Sequence, residues 1–406
     1  MSTLRLTHPS QQLSGNCTIT GSKSESNRLL ILQALFPELE LQNLSNSDDT
    51  QAMTRGLSSA EETIDIGHAG TTMRFLTSYF ATTAGVKKIL TGSKRMQERP
   101  IKILVDALRA IGADIEYVNN EGYPPLRISG KKITVDSVEL AANVSSQYIT
   151  SLMLIAPNLP KGLTIRLVGE ITSIPYINMT CSLLQKVGVQ AKFEGQTIQV
   201  FPQDKIATKT VEVESDWSSA SYHFSMAALA DNAQISIKNY VSDSLQGDSV
   251  LVDIYTQMGV SSSFDGNTLH LKNNGTVQPR ITLDLVKAPD IAQTIAVTCF
   301  GLGISCNLTG LHTLKIKETD RLVALDTELS KLGADIRVTN ESLHLAARKN
   351  PINEGVAIDT YHDHRMAMAF APLGIKVPIS INDADVVSKS YPTFWDDLRS
   401  LGFSVI

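Results

Sequence analysis

Residues 317–321 (KETDR), followed by Leu322, carry two cations four positions apart with carboxylates between them. If this segment is helical, Lys317 and Arg321 lie on one face, about one turn apart. Such a face can bind an anionic ligand while Glu318 transfers a proton. Taken alone, the segment fits a solvated helix surface with local ion pairs better, because exposed ion pairs need no ligand.

Three further segments combine cations with hydroxyl, carboxylate or imidazole groups. They are residues 21–28 (GSKSESNR), 95–100 (RMQERP) and 361–365 (YHDHR). Four such clusters in one chain predict a site for small, highly charged molecules. The first looks like a turn that opens a helix, where free backbone N–H groups attract phosphate or carboxylate and Lys23 adds a charge. Capping by Ser24 or Ser26 explains it equally well.

Two more segments are candidate helix starts. In residues 67–74 (GHAGTTMR), Gly70 permits close backbone approach and Thr71 or Thr72 can cap the next helix. By itself this segment is more simply a tight turn. Residues 145–147 (SSQ) form a third possible cap, which could bind a ligand through its hydroxyl and amide groups.

The histidines of residues 361–365 raise the question of a metal. On a strand, His362 and His364 would share a face, but no third ligand is evident nearby and Arg365 would repel a cation. We therefore expect no metal and no cofactor. Asp290 precedes a buried type of helix at residues 291–304, where it is either a simple N-cap or the acceptor of a substrate proton.

Composition limits the class of protein. The chain has 406 residues, 42% hydrophobic and 19% charged, with a net charge of −5. This length predicts two domains, and the negative charge argues against nucleic acid as a partner. Four cysteines without CxxC spacing indicate buried, reduced thiols of a cytoplasmic protein. No segment predicts a signal peptide or a membrane span, and a monomer is the default expectation.

An internal repeat predicts the architecture. An amphipathic helix, an apolar residue, a glycine and a strand pair recur at intervals of 76, 71, 74 and 69 residues. The glycines are Gly112, Gly188, Gly259, Gly333 and Gly402. Each fits a helix C-terminus, and the period matches a compact unit of strands and helices. Residues 49–67 look like a degenerate sixth copy.

Six units in two groups predict two similar domains. Hinge crossings are expected near residues 18–21 and 241–248. One domain would then comprise residues 21–245, and the other residues 1–20 together with 246–406.

In this order, the clusters resemble the 5-enolpyruvylshikimate-3-phosphate synthase family of enolpyruvyl transferases. The matching segments are GSKSxSNR, AGTTMR, RMQERP, SSQ, SIPY, SxQGD, PD, KETDRL and DHRMAM. The resemblance implies an α/β fold of two similar domains, each with three βαβαββ units in an inverse α/β-barrel-like arrangement. It implies transfer of an enolpyruvyl group from phosphoenolpyruvate to shikimate 3-phosphate with release of phosphate.

The resemblance also implies roles for particular residues. The predicted shikimate 3-phosphate contacts are Lys23, Ser24, Arg28, Ser145, Ser146, Gln147, Ser173, Tyr176, Asp290, Thr313 and Lys317. The predicted phosphoenolpyruvate contacts are Lys23, Gly70, Arg99, Gln147, Arg321, Arg365 and Lys389. Asp290 and Glu318, assisted by Lys23, are expected to transfer protons. Cations on both domains would favour closure around the anionic substrates.

The match departs from the family pattern at several positions. His68, Phe75, Thr313 and His362 replace the usual Asn, Pro, Asn and Asn, and a stretch before Glu61 is missing. The first repeat is therefore expected to be truncated. Two alternatives stay open. One is the UDP-N-acetylglucosamine enolpyruvyl transferase, although its cysteine-bearing loop is absent, and the other is a non-catalytic anion-binding relative.

Overall fold

The computed structural model describes residues 2–142, 145–171 and 174–406, and its chain divides into two units. The central unit is Gly21–Val213. The terminal unit combines the first 20 residues with Glu214–Ile406. The first crossing thus lies within the expected residues 18–21, whereas the second lies before the expected residues 241–248.

Helices and strands alternate along the whole chain. Before the first crossing lie β1 (Leu4–Thr7) and β2 (Gln12–Thr18). The central unit contains α1 (Lys23–Leu35), β3 (Leu39–Gln42), α2 (Asp48–Ser58), β4 (Thr63–Asp65), α3 (Gly70–Thr82), β5 (Lys87–Thr91), α4 (Lys94–Gln97), α5 (Lys102–Ala110), β6 (Asp114–Tyr117), β7 (Leu126–Ser129), β8 (Ser137–Ala141), α6 (Ser146–Ile155), β9 (Leu163–Val168), α7 (Ile174–Lys186), β10 (Ala191–Glu194), β11 (Thr197–Val200) and β12 (Lys209–Glu212). After the second crossing lie α8 (Trp217–Leu229), β13 (Asn232–Lys238), α9 (Leu251–Thr256), β14 (Met258–Asp265), β15 (Thr268–Val277), β16 (Arg280–Asp284), α10 (Ala292–Leu302), β17 (Ser305–Thr309), α11 (Arg321–Lys331), β18 (Ile336–Val338), β19 (Leu343–Leu345), β20 (Val356–Ile358), α12 (His364–Phe370), β21 (Ile379–Ile381), α13 (Phe394–Ser400) and β22 (Ser404–Val405).

The sheets repeat one pattern in which a single parallel pair is extended by antiparallel strands. In the described part of the terminal unit the strand orders are β14-β15-β13-β2, β16-β17-β19-β18 and β20-β21-β1-β22. In that of the central unit they are β4-β5-β7-β6, β10-β11-β9-β8 and the parallel pair β12-β3. The mixed α/β class is confirmed. A sheet of two strands is what a truncated first repeat would leave, and the truncation itself stays a prediction.

The second crossing differs from its prediction because of a long-range strand pairing. β13 pairs in parallel with β2 from Asn232↔Gln12 to Lys238↔Thr18. This pairing and the packing of α8 on β13 bring residues 214–245 into the terminal unit. The segment predicted as a hinge, residues 241–248, is hydrogen-bonded to Glu214, because Ser244 Oγ donates to Glu214 Oε2 at 2.6 Å.

The repeated glycines have the backbone conformation that their position requires. All five have positive φ angles, between 83° and 106°. A residue with a Cβ rarely adopts this conformation, so glycine lets the chain turn sharply from a helix into the next strand. Four of these glycines lie directly beyond a helix end, whereas Gly259 lies in β14, just after α9.

Buried helices connect the sheets to the functional residues. Helix α10 is buried almost all round, as predicted for residues 291–304, because apolar residues and threonines occupy every face. All four cysteines are buried free thiols, also as predicted. Within the described residues, no helix has the length and apolar composition needed to cross a bilayer.

Candidate active site

Asp290 lies at the centre of a cluster of charges in the terminal unit. Lys317 Nζ lies 3.3 Å from Asp290 Oδ1, Arg321 Nη1 lies 3.0 Å from the same oxygen, and Arg365 Nη2 lies 3.3 Å from Oδ2. Burial alone would raise the pKa of Asp290, but Arg365, Lys317 and Arg321 hold it well below its usual range. Three predicted ligand-binding cations thus meet at one predicted proton acceptor.

Asp290 is not an N-cap. It lies in the 3-10 turn Pro289–Ile291 before α10, and the cap position of α10 makes no side-chain hydrogen bond. The short turn directs the carboxylate toward the cations instead. The simple capping interpretation of this residue is therefore wrong.

The prediction that Lys317 and Arg321 share a helical face is also wrong. A 3-10 helix ends at Ile316, and α11 begins only at Arg321. Asp320 stops the helix from extending further back, because its side chain accepts a hydrogen bond from Val323 N as the N-cap. The two cations meet through Asp290 rather than through helical periodicity.

Arg321 binds three carboxylates at once. Its Nε donates to Asp363 Oδ2 at 2.7 Å, its Nη2 to Glu318 Oε2 at 2.8 Å, and its Nη1 to Asp290 Oδ1 at 3.0 Å. The Arg321 side chain is only 2% exposed. Burial would lower the pKa of Arg321, but Asp363, Glu318 and Asp290 raise it, so the guanidinium stays charged. Arg321 holds both predicted proton-transferring carboxylates in place.

The two histidines flanking Asp363 do not share a face. Asp363 is the N-cap of α12, and its Oδ1 accepts a hydrogen bond from Arg365 N at 2.9 Å. His362 precedes the helix with a φ of 56° and a 79% exposed side chain, whereas the side chain of His364 is 2% exposed. The strand geometry considered for a metal is therefore wrong, because a left-handed turn and a helix start occupy this segment.

The other predicted residues of the terminal unit lie outside this charge cluster. Thr313 is in the 3-10 helix His312–Ile316, and its buried Oγ1 makes no hydrogen bond within the described residues. Lys389 ends the 3-10 helix Ala384–Lys389 and is half-buried. No ion pair among the described residues joins Lys389 to Asp290.

In the central unit, Lys23 and Arg28 lie in the first two turns of α1. Lys23 Nζ lies 3.6 Å from Asp49 Oδ2. The cap residue Ser22 makes no side-chain capping bond, and Ser24 and Ser26 lie inside the helix, so the capping interpretation of these two serines is wrong. The helix start therefore keeps its N–H groups free of a side-chain cap, as an anion site requires.

Arg28 is buried, and no carboxylate of the described residues forms an ion pair with it. Its Nε donates to Thr180 Oγ1 at 3.0 Å and its Nη1 to Ser24 O at 2.7 Å. The guanidinium lies 5.9 Å from the ring centroid of Tyr176 and 5.8 Å from that of Phe75. Burial lowers the pKa of Arg28 to about 10. Three predicted shikimate 3-phosphate contacts are thus brought together, while Ser173 lies outside the described residues.

Gly70 opens α3 beside two arginines. A Cβ added to Gly70 would lie 2.7 Å from Arg99 Nη1 and 2.9 Å from Arg74 Nη1, so glycine leaves room for both guanidinium groups. Burial first, and then the charge of Arg99, lower the pKa of Arg74 to about 10. The helix start and these cations form a positively charged site.

Helices α3 and α6 are joined at their first turns. Ser145 caps α6, which begins at Ser146, by accepting from Gln147 N, as predicted. Gln147 Nε2 donates to Thr71 Oγ1 at 3.1 Å, and Thr72 Oγ1 donates to Asp49 O at 3.0 Å. The threonines therefore do not cap α3, because their hydroxyl groups bind neighbouring helices.

Sequence reasoning missed several residues of these sites. Asp363, Ser218 and Asp49 contact predicted residues, and Asp248 contacts Ser218, but none of the four was assigned a role. Asp363 and Asp248 do lie within the quoted segments DHRMAM and SxQGD. Ser218 and Asp49 lie outside the matching segments, and the fold alone brings them to Arg365 and Lys23.

Comparison with solved structures defines the class of protein to which this fold belongs. Two solved EPSP synthases from Acinetobacter baumannii have TM-scores of 0.80 and 0.79 to this chain at 22% and 21% identity, over its full length and 99–100% of theirs. The fold is therefore that of the EPSP synthases.

Sequence relatives then identify the family. The family model described as EPSP synthase (3-phosphoshikimate 1-carboxyvinyltransferase) matches residues 56–398. A 3-phosphoshikimate 1-carboxyvinyltransferase of Bacteroides fragilis is 48% identical over 98% of both chains. One of Vibrio atlanticus is 35% identical over 97% of this chain and 98% of its own. The chain belongs to the EPSP synthase family.

Proposed function

We propose that this enzyme transfers the enolpyruvyl group of phosphoenolpyruvate to the 5-hydroxyl of shikimate 3-phosphate and releases phosphate. The curated relatives are named for this transfer rather than for the UDP-N-acetylglucosamine reaction. The observation that carries the proposal is the sharing of one guanidinium by two carboxylates. Arg321 binds Asp290 at 3.0 Å and Glu318 at 2.8 Å, so two groups able to transfer protons are fixed by one cation.

The central unit supports the binding of phosphate and carboxylate groups. Arg28 and Arg74 are buried, neither is ion-paired with a carboxylate in the described part of the chain, and burial lowers the pKa of each. A bound dianion would offset this unfavourable burial of charge. Lys23, Ser24, Arg28, Ser145, Ser146, Gln147, Ser173, Tyr176, Gly70 and Arg99 are the proposed contacts in this unit.

In the terminal unit we assign acid–base chemistry to Asp290 and Glu318. The proposed contacts there are Asp290, Thr313, Lys317, Arg321, Arg365 and Lys389. Asp290 accepts the proton of the 5-hydroxyl as this oxygen attacks C2 of phosphoenolpyruvate. Without ligands its pKa is too low for a good base. Substrate anions that pair with Lys317 and Arg365 weaken this effect and raise the basicity of Asp290.

Glu318, assisted by Lys23, protonates C3 in the same step and so completes a tetrahedral ketal. A proton then returns from the new methyl group at C3 to Glu318, the double bond forms again, and the C2–O bond to phosphate breaks. Arg321 holds the carboxylate of Glu318 in a fixed orientation. This pathway makes C3 a methyl group once in each turnover.

An isotope experiment tests the pathway. With both substrates in D2O, the product is expected to carry deuterium at its vinyl carbon, because the transient methyl group loses one of three hydrogens. Proton NMR and mass spectrometry of the product measure this. Product incubated with the enzyme but without phosphate is the control and should keep its protium. A product without deuterium, or no product, would contradict the proposal.

A further inference from the structure

A buried hydrogen-bonded chain extends from the charge cluster to Asp248. Arg365 Nη2 lies 3.3 Å from both Asp290 Oδ2 and Ser218 Oγ. Ser218, in the first turn of α8, donates its hydroxyl hydrogen to Asp248 Oδ2. Asp248 lies in the 3-10 turn Gly247–Val250 and is buried. One guanidinium thus connects two carboxylates, one directly and one through a serine.

The cations of this cluster are already compensated by carboxylates. Lys317, Arg321 and Arg365 contribute three positive charges. Asp290, Glu318 and Asp363 contact these cations directly, and Asp248 contacts them through Ser218. A substrate anion that binds Arg365 therefore adds negative charge to a buried region that has no excess of positive charge. Burying uncompensated charge is costly, and protonation of a carboxylate removes that cost.

Asp248 is the carboxylate best suited to take up this proton. Asp290 has three cations within 3.3 Å, and Arg321 binds Asp363 at 2.7 Å and the less buried Glu318 at 2.8 Å. Asp248 has no cation in direct contact among the described residues. Burial first, and then the charge of Asp290, raise its pKa to about 6, with Asp216 adding a small increase. Arg365 and the Ser218 hydroxyl act in the opposite direction.

We propose that Asp248 takes up one proton when an anionic group of the substrate binds Arg365, and that Ser218 couples the two events. This inference rests on the proposed function, since phosphoenolpyruvate is the anion in question. The proton comes from solvent and forms an O–H bond on Asp248. That carboxyl then donates to Ser218 Oγ, so the serine hydrogen is free to donate to the bound anion.

These charges determine whether the affinity for phosphoenolpyruvate rises or falls with pH. A bound anion adds negative charge and offsets Arg365, and both changes raise the pKa of Asp248. Above pH 6 the free protein holds Asp248 mainly as the carboxylate, whereas the complex holds it protonated up to its higher pKa. Affinity is therefore expected to fall with rising pH in this window, by up to about tenfold per pH unit.

Calorimetric titration of the full chain with phosphoenolpyruvate tests the proposal. Titrations at pH 7.5 in two buffers with different ionisation heats give the number of protons taken up on binding. We expect Asp248→Asn to lower this number by most of one proton relative to the unsubstituted chain. Protonation of the phosphate group of phosphoenolpyruvate adds equally to the proton uptake of every variant. It therefore cancels when the uptake of two variants is compared.

Asp397→Asn is the matched control. Asp397 is another partly buried carboxylate of the terminal unit whose pKa is raised by burial, but it binds Tyr391 and Thr393. This variant should keep the proton uptake of the unsubstituted chain. Equal uptake in Asp248→Asn and the unsubstituted chain would overturn the proposal.

If Asp248→Asn does not fold, an infrared difference spectrum tests the proposal instead. A new protonated-carboxyl band on binding of phosphoenolpyruvate that persists in Glu318→Gln supports the proposal, and its absence there overturns it. Phosphate release with both substrates is measured separately. Turnover without proton uptake would reject this inference alone, whereas proton uptake without turnover would reject the proposed function alone.

Discussion

Replacing Glu318 with glutamine is expected to lower kcat by about 10²- to 10⁴-fold, the usual contribution of general acid–base catalysis. The glutamine side chain would keep the size of the original and a hydrogen-bond acceptor for Arg321 but could not donate a proton to C3. The KM values of both substrates should change far less than kcat, because the cations that bind them are retained. Steady-state kinetics of purified Glu318→Gln measures both parameters.

The matched control is Glu341→Gln. Glu341 lies in an exposed loop of the same unit, where its backbone N–H donates to Thr339 Oγ1. The same chemical change there should leave kcat unaltered. A kcat for Glu318→Gln equal to that of the control would remove Glu318 from the proposed mechanism.

Replacing Arg321 with methionine is expected to lower the free energy of unfolding by about 3–5 kcal/mol, the usual result of breaking a buried ion pair from one side. Arg321 is 2% exposed and binds Asp363, whose side chain is fully buried, at 2.7 Å. Methionine fills similar space but leaves Asp363 without this cation. Urea unfolding at neutral pH measures the loss.

Arg399→Met is the control for charge removal itself. Arg399 lies 2.7 Å from Asp396, but its side chain is 47% exposed, so water screens the pair. Exposed pairs contribute at most about 1 kcal/mol. If Arg321→Met destabilised the protein no more than Arg399→Met, the contacts of Arg321 with its three carboxylates would not stabilise the fold as inferred here.

Features encoded by neighbouring residues were predicted well. Four of the five repeated glycines mark helix ends, because few other residues adopt their φ angles. Helix α10 was predicted as buried because its residues are apolar or small on every face. Residues 145–147 were predicted as a possible cap from their place before an apolar run, and the side chain of Ser145 does accept from Gln147 N.

A competing helix cap and two contacts between distant residues were predicted poorly. Asp320, a better N-cap than its neighbours, starts α11 four residues later than expected and separates Lys317 from the helix. The second crossing was misplaced because β13 pairs with β2, far away in the sequence. Ser218 and Arg365 are in contact although 147 positions separate them in the sequence, so no local sequence pattern predicts the contact.

Phosphate release is the most direct test of the central claim. The purified chain should release phosphate from phosphoenolpyruvate when shikimate 3-phosphate is present, and none when UDP-N-acetylglucosamine replaces it. Release with shikimate 3-phosphate only is the predicted result. Release with UDP-N-acetylglucosamine would assign a different acceptor. No release with either acceptor, despite thermal stabilisation by shikimate 3-phosphate, would contradict catalysis and identify a binding protein of the same fold.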